Sequence, residues 1–328
     1  MLLPDDIIPI STWCPMQQSS RIGRQVKLQD LNVLITVVQA GSMGKAAQRL
    51  NSTQPAISRS IAELEHVLGV RLLDRHRGGV EPTEYGRALL NCGMAVFDEL
   101  RQGMKNIEFL ADPTAGEVRI GCNPFLATSF VPAVIYRLSQ RCPRIVFHLV
   151  TAAGETLHRE LSDRKVDLLI TRRFGSIAEE RMAFESLFDE QYVVAAGAQS
   201  TWVRRRKIEL PELLNESWVL PPPGGVISSA AMEVFRAAGL DYPRATVIAD
   251  LPQARMSLLA SGLFLTILHA SALNFPTTRT ELKVLPVELP MDRVPVGIVT
   301  LKNRTLSPVA KLFIEHAREA AKPLAKRK

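Results

Sequence analysis

From Leu28 onward, apolar residues recur at helical spacing in three short segments that follow one another closely. Leu31, Leu34, Ile35 and Val38 share one helical face, and Ala40-Gly41-Ser42 ends that helix. Ala46, Ala47 and Leu50 mark a second, short helix. The third opens at Ser52-Thr53, whose hydroxyls can cap free backbone N–H groups, with Pro55 in the first turn where its missing N–H costs nothing. Ile57, Ile61, Leu64 and Leu68 then give a buried stripe, while Gln54, Ser58, Arg59 and Ala62 face solvent. Three such helices, with a tight turn before the capped third, predict a helix-turn-helix whose third helix puts its N-terminal residues against base edges in a major groove.

Two short apolar strands around the basic tip Arg75-His76-Arg77 and the pair Gly78-Gly79 predict a β-hairpin wing, from which Arg75 and Arg77 could reach phosphates or a narrow minor groove. Between Thr83 and Pro113, Leu89, Val96, Leu100, Met104, Ile107 and Ala111 line one side of a single long amphipathic helix. Gly93 and Gly103 weaken it in isolation, each by about 1 kcal/mol against alanine. Asp112-Pro113-Thr114-Ala115-Gly116 breaks it and makes a hinge.

After the hinge, strands alternate with helices. Val118–Cys122, Ile145–Val150 and Asp167–Thr171 read as strands, separated by helices over Ala127–Gln140 and Thr156–Asp163. A second set follows, with strands at Tyr192–Ala196, Trp218–Leu220, Ala245–Ala249 and Leu263–Leu268 and helices at Ser228–Ala238 and Pro252–Ala260. The chain returns through Val294–Leu301 to a last helix over Pro308–Ala321. This alternation implies an α/β unit built on a parallel sheet.

Composition changes the picture little. The net charge of +7 suits a polyanion partner but is spread along the chain, and residues 28–86 carry six basic and six acidic side chains. Binding to DNA would therefore depend on where the cations sit, and on a dimer to gather enough contacts. Cys14, Cys92, Cys122 and Cys142 lie far apart, so neither a disulfide framework nor a metal site is expected, and a reducing cytoplasm fits. Residues 1–27, with Pro4, Pro9 and Pro15, read as a flexible extension in which Met16 is an alternative start; Asp5 and Asp6 give it the wrong charge for a secretory signal. The uncharged run Met256 to Thr278 reads as a buried helix, a turn and a core strand better than as a membrane span, because Gly262 interrupts it and Pro276 closes it. Arg204-Arg205-Arg206-Lys207 reads as a solvated face between elements, with a second nucleic-acid patch as the alternative. With no P-loop, G-x-G-x-x-G, G-x-S-x-G or metal-spaced cluster, no catalytic residue, metal or cofactor is expected.

The stretch Ala46-Ala47-Gln48-Arg49-Leu50-Asn51-Ser52-Thr53-Gln54-Pro55-Ala56-Ile57-Ser58-Arg59-Ser60-Ile61, continued by Leu64-Glu65, Leu68-Gly69, Leu72-Leu73-Asp74-Arg75 and Pro82-Thr83-Glu84-Tyr85-Gly86, resembles the DNA-binding module of LysR-type transcription regulators. Leu73 stands where the family usually has Phe, and Pro82 where it has Leu; both bear on packing at the wing. More weakly, Val118-Arg119-Ile120-Gly121, Asp167-Leu168-Leu169-Ile170 and Leu259-Ala260-Ser261-Gly262 are similar to its effector domain, itself built like periplasmic binding proteins.

The resemblance implies an α/β protein with an all-α winged helix-turn-helix over 28–86, a linker and dimerisation helix with its hinge over 87–116, and a bilobed α/β effector domain over 117–328. Lobe I would take about 117–187 and 291–322, and lobe II about 188–290. DNA contacts would come from Ser52, Thr53, Gln54, Pro55, Ser58, Arg59, Arg75 and Arg77, and dimerisation from Leu89, Val96, Leu100, Met104 and Ile107. An effector between the lobes would meet Asn123, Pro124, Phe125, Gly154, Glu155, Arg172, Gly225, Val226, Ile227 and Ser228. Helix N-terminal amides near Phe125 and Ser228, with Arg172 as charged partner, favour a small carboxylate or other oxygen-rich metabolite. The implied partners are double-stranded promoter DNA, the effector, a second copy in a homodimer or a dimer of dimers, and RNA polymerase, with no membrane. An architectural DNA binder or a solute-binding module without a regulatory role are the alternatives.

Overall fold

The computed structural model describes residues 26–76, 78–152, 154–173, 181–224, 226–273 and 281–325, the side chains of Val226, Ile227 and Ala230 excepted. Residues 1–25 of the expected extension, together with Arg77 and Gly225, lie outside the described residues. The chain divides into two compact units that meet at Leu100 and Arg101, within one helix.

The first unit holds helices α1 (Leu28–Ala40), α2 (Met43–Arg49) and α3 (Gln54–Leu68), then an antiparallel hairpin of β1 (Leu73–His76) and β2 (Gly79–Pro82). Much of the 28-residue helix α4 (Glu84–Ala111) completes it. Ser42 and Thr53 cap α2 and α3 through their hydroxyls, and Gly41 and Gly69, both left-handed, end α1 and α3. Ile57, Ile61 and Leu64 are buried as expected, but Leu68 in the last turn of α3 is exposed. On α1, Val33 and Val37 are buried in place of Ile35 and Val38, because α1 packs against both α2 and α3. Ile35 instead meets α4: a β-carbon at Gly93 would lie 3.4 Å from Ile35 Cδ1. A side chain at Gly93 would thus meet α1 at ordinary contact distance, whereas Gly103 lies in open space.

Side-chain and backbone contacts tie the wing down. Glu65 Oε1 accepts from the Leu72 and Leu73 N–H groups at 2.8 and 3.2 Å, and the Val80 N–H donates to the Gly41 carbonyl at 3.0 Å. An acidic side chain that sequence alone sets against DNA is thus spent on holding β1.

The second unit carries two five-stranded sheets. The first uses β3 (Ala115–Cys122), β4 (Arg144–Thr151), β5 (Leu168–Arg172), β6 (Met182–Glu190) and, from the returning chain, β12 (Val294–Leu301) in the order β4-β3-β5-β12-β6. The second uses β7 (Tyr192–Gly197), β8 (Trp218–Leu220), β9 (Ala245–Ile248), β10 (Leu265–His269) and β11 (Leu282–Val284) in the order β11-β7-β10-β8-β9. The helices are α5 (Pro124–Thr128), α6 (Phe130–Arg141), α7 (Gly154–Ser162), α8 (Val226–Ala237), α9 (Pro252–Ala260) and α10 (Pro308–Ala325).

Both sheets are mixed, which corrects the expectation of a parallel one. β12 runs antiparallel to β5 and β6, and β7 antiparallel to β10 and β11. A strand arriving from the other lobe makes no local βαβ crossover, so the rule that keeps such strands parallel does not bind it. β6 and β11 were not anticipated. β6 is an edge strand with Glu185, Asp189 and Glu190 in it, which hides its apolar positions. The helix expected over Ala127–Gln140 is two helices, α5 and α6, broken at Ser129.

The expected hinge is short and pinned. Asp112 Oδ1 accepts from the Thr114 N–H and hydroxyl at 3.1 and 2.8 Å, which hold its carboxyl below the usual carboxylate range, and Arg144 reaches Asp112 Oδ2 at 2.6 Å and Thr114 Oγ1 at 2.8 Å. Strand β3 begins at Ala115, where the hinge had been read to continue. The uncharged run after Arg255 becomes the end of α9, strand β10 and a 3-10 turn at Ala270–Leu273; its last residues lie outside the description. Among the described residues no helix is long and apolar enough to cross a membrane.

Candidate functional site

The capped N-terminal half of α3 is one open surface. Ser52, Thr53, Gln54, Pro55 and Arg59 are exposed and Ser58 half-buried. Arg75, exposed on β1, donates from Nη1 to Ser58 Oγ at 3.3 Å, so the wing's cation lies beside the helix that would read bases. Glu63 is exposed.

Further along, α4 presents a bare apolar row, with Leu100 49%, Met104 62%, Ile107 69% and Leu110 81% exposed. Val96 is half-buried. Leu89 departs from the expected set: it packs against the core of the first unit with Ile57, Ile61 and Leu64, and so is spent within its own chain. Leu110, the most exposed of the row, had not been named.

In the second unit the two sheets meet through Phe125. This side chain, carried by α5 of the first lobe, is buried among Val193, Ala195, Leu259 and Leu268 of the second. Asn123 caps α5, its Oδ1 accepting from the Leu126 N–H at 3.0 Å, and exposed Pro124 sits in the first turn. Gly154 and Glu155 open α7 and are exposed. Ser228 is buried in the first turn of α8, where Val226 and Ile227 are described by backbone alone.

Arg172 is not the free cation that was expected. It ends β5 fully buried, and its Nε donates to Glu190 Oε2 at 2.5 Å. Glu190 also accepts from the Ser271 hydroxyl. His269 Nδ1 lies 3.4 Å from Glu190 Oε2 without hydrogen-bond geometry, and the ring stacks on Tyr192 at 4.2 Å between centroids. Burial first, then Arg172 and Arg255, push His269 well below its ordinary value, so the imidazole stays neutral. Burial pushes the Tyr192 hydroxyl up to about 12.

Arg255 of α9 completes the cluster. It is 2% exposed, stands over the Phe125 ring at 4.7 Å, and has Nε and Nη1 without acceptors. Burial brings it down to about 10, with Asp250 and Tyr242 acting the other way. Sequence reasoning missed Glu190, Tyr192, His269, Ser271 and Arg255. A usable signal existed for Arg255 alone, which shares a helical face with buried Leu259 four residues on.

The remaining polar groups are ordinary. Within the basic run, Arg205 pairs with Glu212 at 2.7 Å and Lys207 with Glu209 at 2.6 Å, all partly exposed. Cys92, Cys122 and Cys142 are free thiols, and no group of potential metal ligands occurs among the described residues.

Comparison with known proteins matches residues 28–87 to the helix-turn-helix of bacterial regulatory proteins of the lysR family, and residues 111–322 to the LysR substrate binding domain. The chain belongs to the LysR family. It is a DNA-binding transcriptional regulator with an effector-binding domain, and the family and its relatives are regulators, not enzymes.

Among similar proteins are an HTH-type regulator of Bacillus subtilis, YybE, 29% identical over 88% of this chain and 97% of its own length, and the dual regulator GltC of the same organism, 28% identical over 88% and 96%. Full-length OxyR from Pseudomonas aeruginosa shares the fold with a TM-score of 0.66 at 21% identity, covering 92% of this chain and 99% of that one. Full-length CbnR, solved with its target DNA, shares it with a TM-score of 0.51 at 22% identity, covering 90% and 100%. As a LysR regulator the chain has DNA as a partner.

Proposed function

We propose that a dimer of this regulator binds promoter operators in the cytoplasm with α3 in the major groove, and that a small molecule held between the two lobes sets its affinity. Gln54 and Arg59 would face base edges, Ser52, Thr53 and Ser58 the adjoining backbone, and Arg75 and Arg77 the phosphates flanking the groove. The observation that carries this is the open N-terminal face of α3 with Arg75 hydrogen-bonded beside it, since cations there lie where a phosphate would pass. The complex that CbnR forms with its target DNA supports the same use of the module.

Leu100, Met104, Ile107 and Leu110 would close the dimer, for an apolar row this exposed on one helix face is unfavourable in water. The effector would enter between the lobes near Asn123, Phe125 and Ser228 and favour one arrangement of them. RNA polymerase is the expected downstream contact.

Footprinting across the source genome tests the reading. Discrete protected sites with dyad symmetry, whose occupancy changes with a metabolite, are the expected result. Uniform coating of DNA regardless of sequence would instead mark an architectural binder and sink it.

A further inference from the structure

The interlobe cluster has an electrostatic imbalance. Arg172 and Glu190 neutralise each other at 2.5 Å, and His269 is neutral between them and Tyr192. Arg255 remains. Its guanidinium is out of water, one face is covered by Phe125, and each edge of the fork has an open donor, Nε on one and Nη1 on the other. Asp250 is exposed, acts on Arg255 only through its field, and forms no ion pair with it. The Tyr242 hydroxyl, buried and also without a partner, senses the same cation.

A guanidinium buried without an acceptor is costly, and an ordered water, an ion or a ligand that meets it accounts for such a group. Phe125 and Arg255 belong to opposite lobes, so whatever occupies Arg255 also bears on how the lobes meet. We propose that Arg255 is the anchor of a monoanionic carboxylate effector, with the Tyr242 hydroxyl as second donor. This rests on the sensor reading above and moves the charged contact from Arg172, which is already paired, to Arg255.

The charge ledger selects the class. One uncompensated cation in a low-dielectric site calls for one negative charge, and a second would stand against Asp250 and Glu190 unpaired. A carboxylate carries one charge and two acceptor oxygens that suit the planar fork, whereas inorganic phosphate near neutrality carries more than one charge.

The test uses the full-length protein with sodium acetate, lactate, benzoate, sulfate and inorganic phosphate at constant ionic strength, read by melting temperature and by operator affinity. Wild type should melt higher with at least one monocarboxylate. Arg255→Met should melt higher than wild type in anion-free buffer, because an unpaired buried charge is gone, and should bind that carboxylate about ten-fold more weakly or worse. Arg255→Lys, which keeps the charge and loses the fork, should fall between and covers the case in which the methionine variant fails to fold.

Binding retained within about two-fold in Arg255→Met overturns the assignment. So does a wild type that responds to no monocarboxylate, or one that responds only to sulfate or phosphate. The sensor reading fails separately: carboxylate binding that depends on Arg255 yet leaves operator affinity unchanged would refute regulation and leave the anchor standing. Operator affinity that responds only to an uncharged metabolite would do the reverse.

Discussion

Arg172 and Glu190 form a fully buried ion pair, Nε to Oε2 at 2.5 Å, that joins the end of β5 to the end of β6, one residue before the chain crosses into the second sheet. Both charges have lost their water, and the Ser271 hydroxyl supplies Glu190 with a further donor. Removing one partner leaves an uncompensated buried charge. Arg172→Met alone should therefore cost about 3–5 kcal/mol, whereas Arg172→Met with Glu190→Leu should cost clearly less. Urea unfolding of the three proteins measures this, and equal losses in single and double variants would remove the pair from the account.

Gly86 packs so closely under the wing that a β-carbon there would overlap the carbonyl oxygen of Leu72, a backbone atom that cannot step aside. That carbonyl also accepts from the Thr83 N–H at 2.9 Å. Gly86→Ala should thus displace β1 from α4 and destabilise the first unit by about 1–3 kcal/mol. Gly103→Ala, with nothing within 4 Å, is the control and should stabilise α4. Thermal melts that rank the two variants the other way would contradict the packing.

Base reading and phosphate contact separate by the way affinity fails. Gln54→Ala should relax preference at one operator position by about 1–3 kcal/mol while leaving the salt dependence alone. Arg75→Ala and Arg77→Ala should weaken all sites alike, each lowering the slope of log K against log salt by about 0.9. Binding of mutated operators over a salt series resolves these, and a changed salt slope in Gln54→Ala would reverse its role.

The helix-turn-helix was legible because its determinants are local. Thr53, Pro55 and Gly69 each act within a turn of their own position, and the stripe Ile57, Ile61, Leu64 needs only helical spacing. Leu68 escaped because burial at a helix end depends on what packs there. The interlobe cluster was illegible for the opposite reason. Arg172 could be placed at a strand end, but its partner lies 18 residues on, in a strand whose acidic residues disguise it. Arg255 shares a helical face with Leu259, which points to burial, but its place in the cluster follows only from Phe125, brought beneath it from the other lobe. Sheet direction likewise follows from where the returning β12 inserts, which periodicity does not encode.

The proposed dimer puts the bare row on α4 at its interface. Leu100→Glu with Ile107→Glu should give monomers that still fold, since both side chains are exposed in the single chain, and operator affinity should drop by about 1,000-fold or more once half-sites are no longer held together. Leu89→Ala should instead loosen the first unit, because Leu89 belongs to its core. Sedimentation equilibrium distinguishes the two, and an intact dimer in the doubly charged variant would move the interface elsewhere.

His269 gives the protein a predictable acid sensitivity. Arg172 faces it from β5, Glu190 from β6, Tyr192 from β7 and Arg255 from α9, and burial is the largest influence on it. Its folded value lies well below the ordinary 6.5. Below that ordinary value the unfolded chain binds a proton that the folded chain does not, so protonation favours unfolding. The neutral imidazole therefore contributes in full above about pH 6.5, and stability is lost as pH falls beneath it, at about 1.4 kcal/mol per pH unit for one proton. Glu185, held below its usual range by the Arg318 hydrogen bonds, begins to matter only lower, beneath its ordinary 4.5. His269→Gln should then flatten the stability profile between about pH 5 and 6.5 by one proton's worth, the other histidines contributing equally to both proteins. Parallel profiles for wild type and variant over that window would mean that His269 titrates normally, and that the charge balance around Arg255 has to be drawn again.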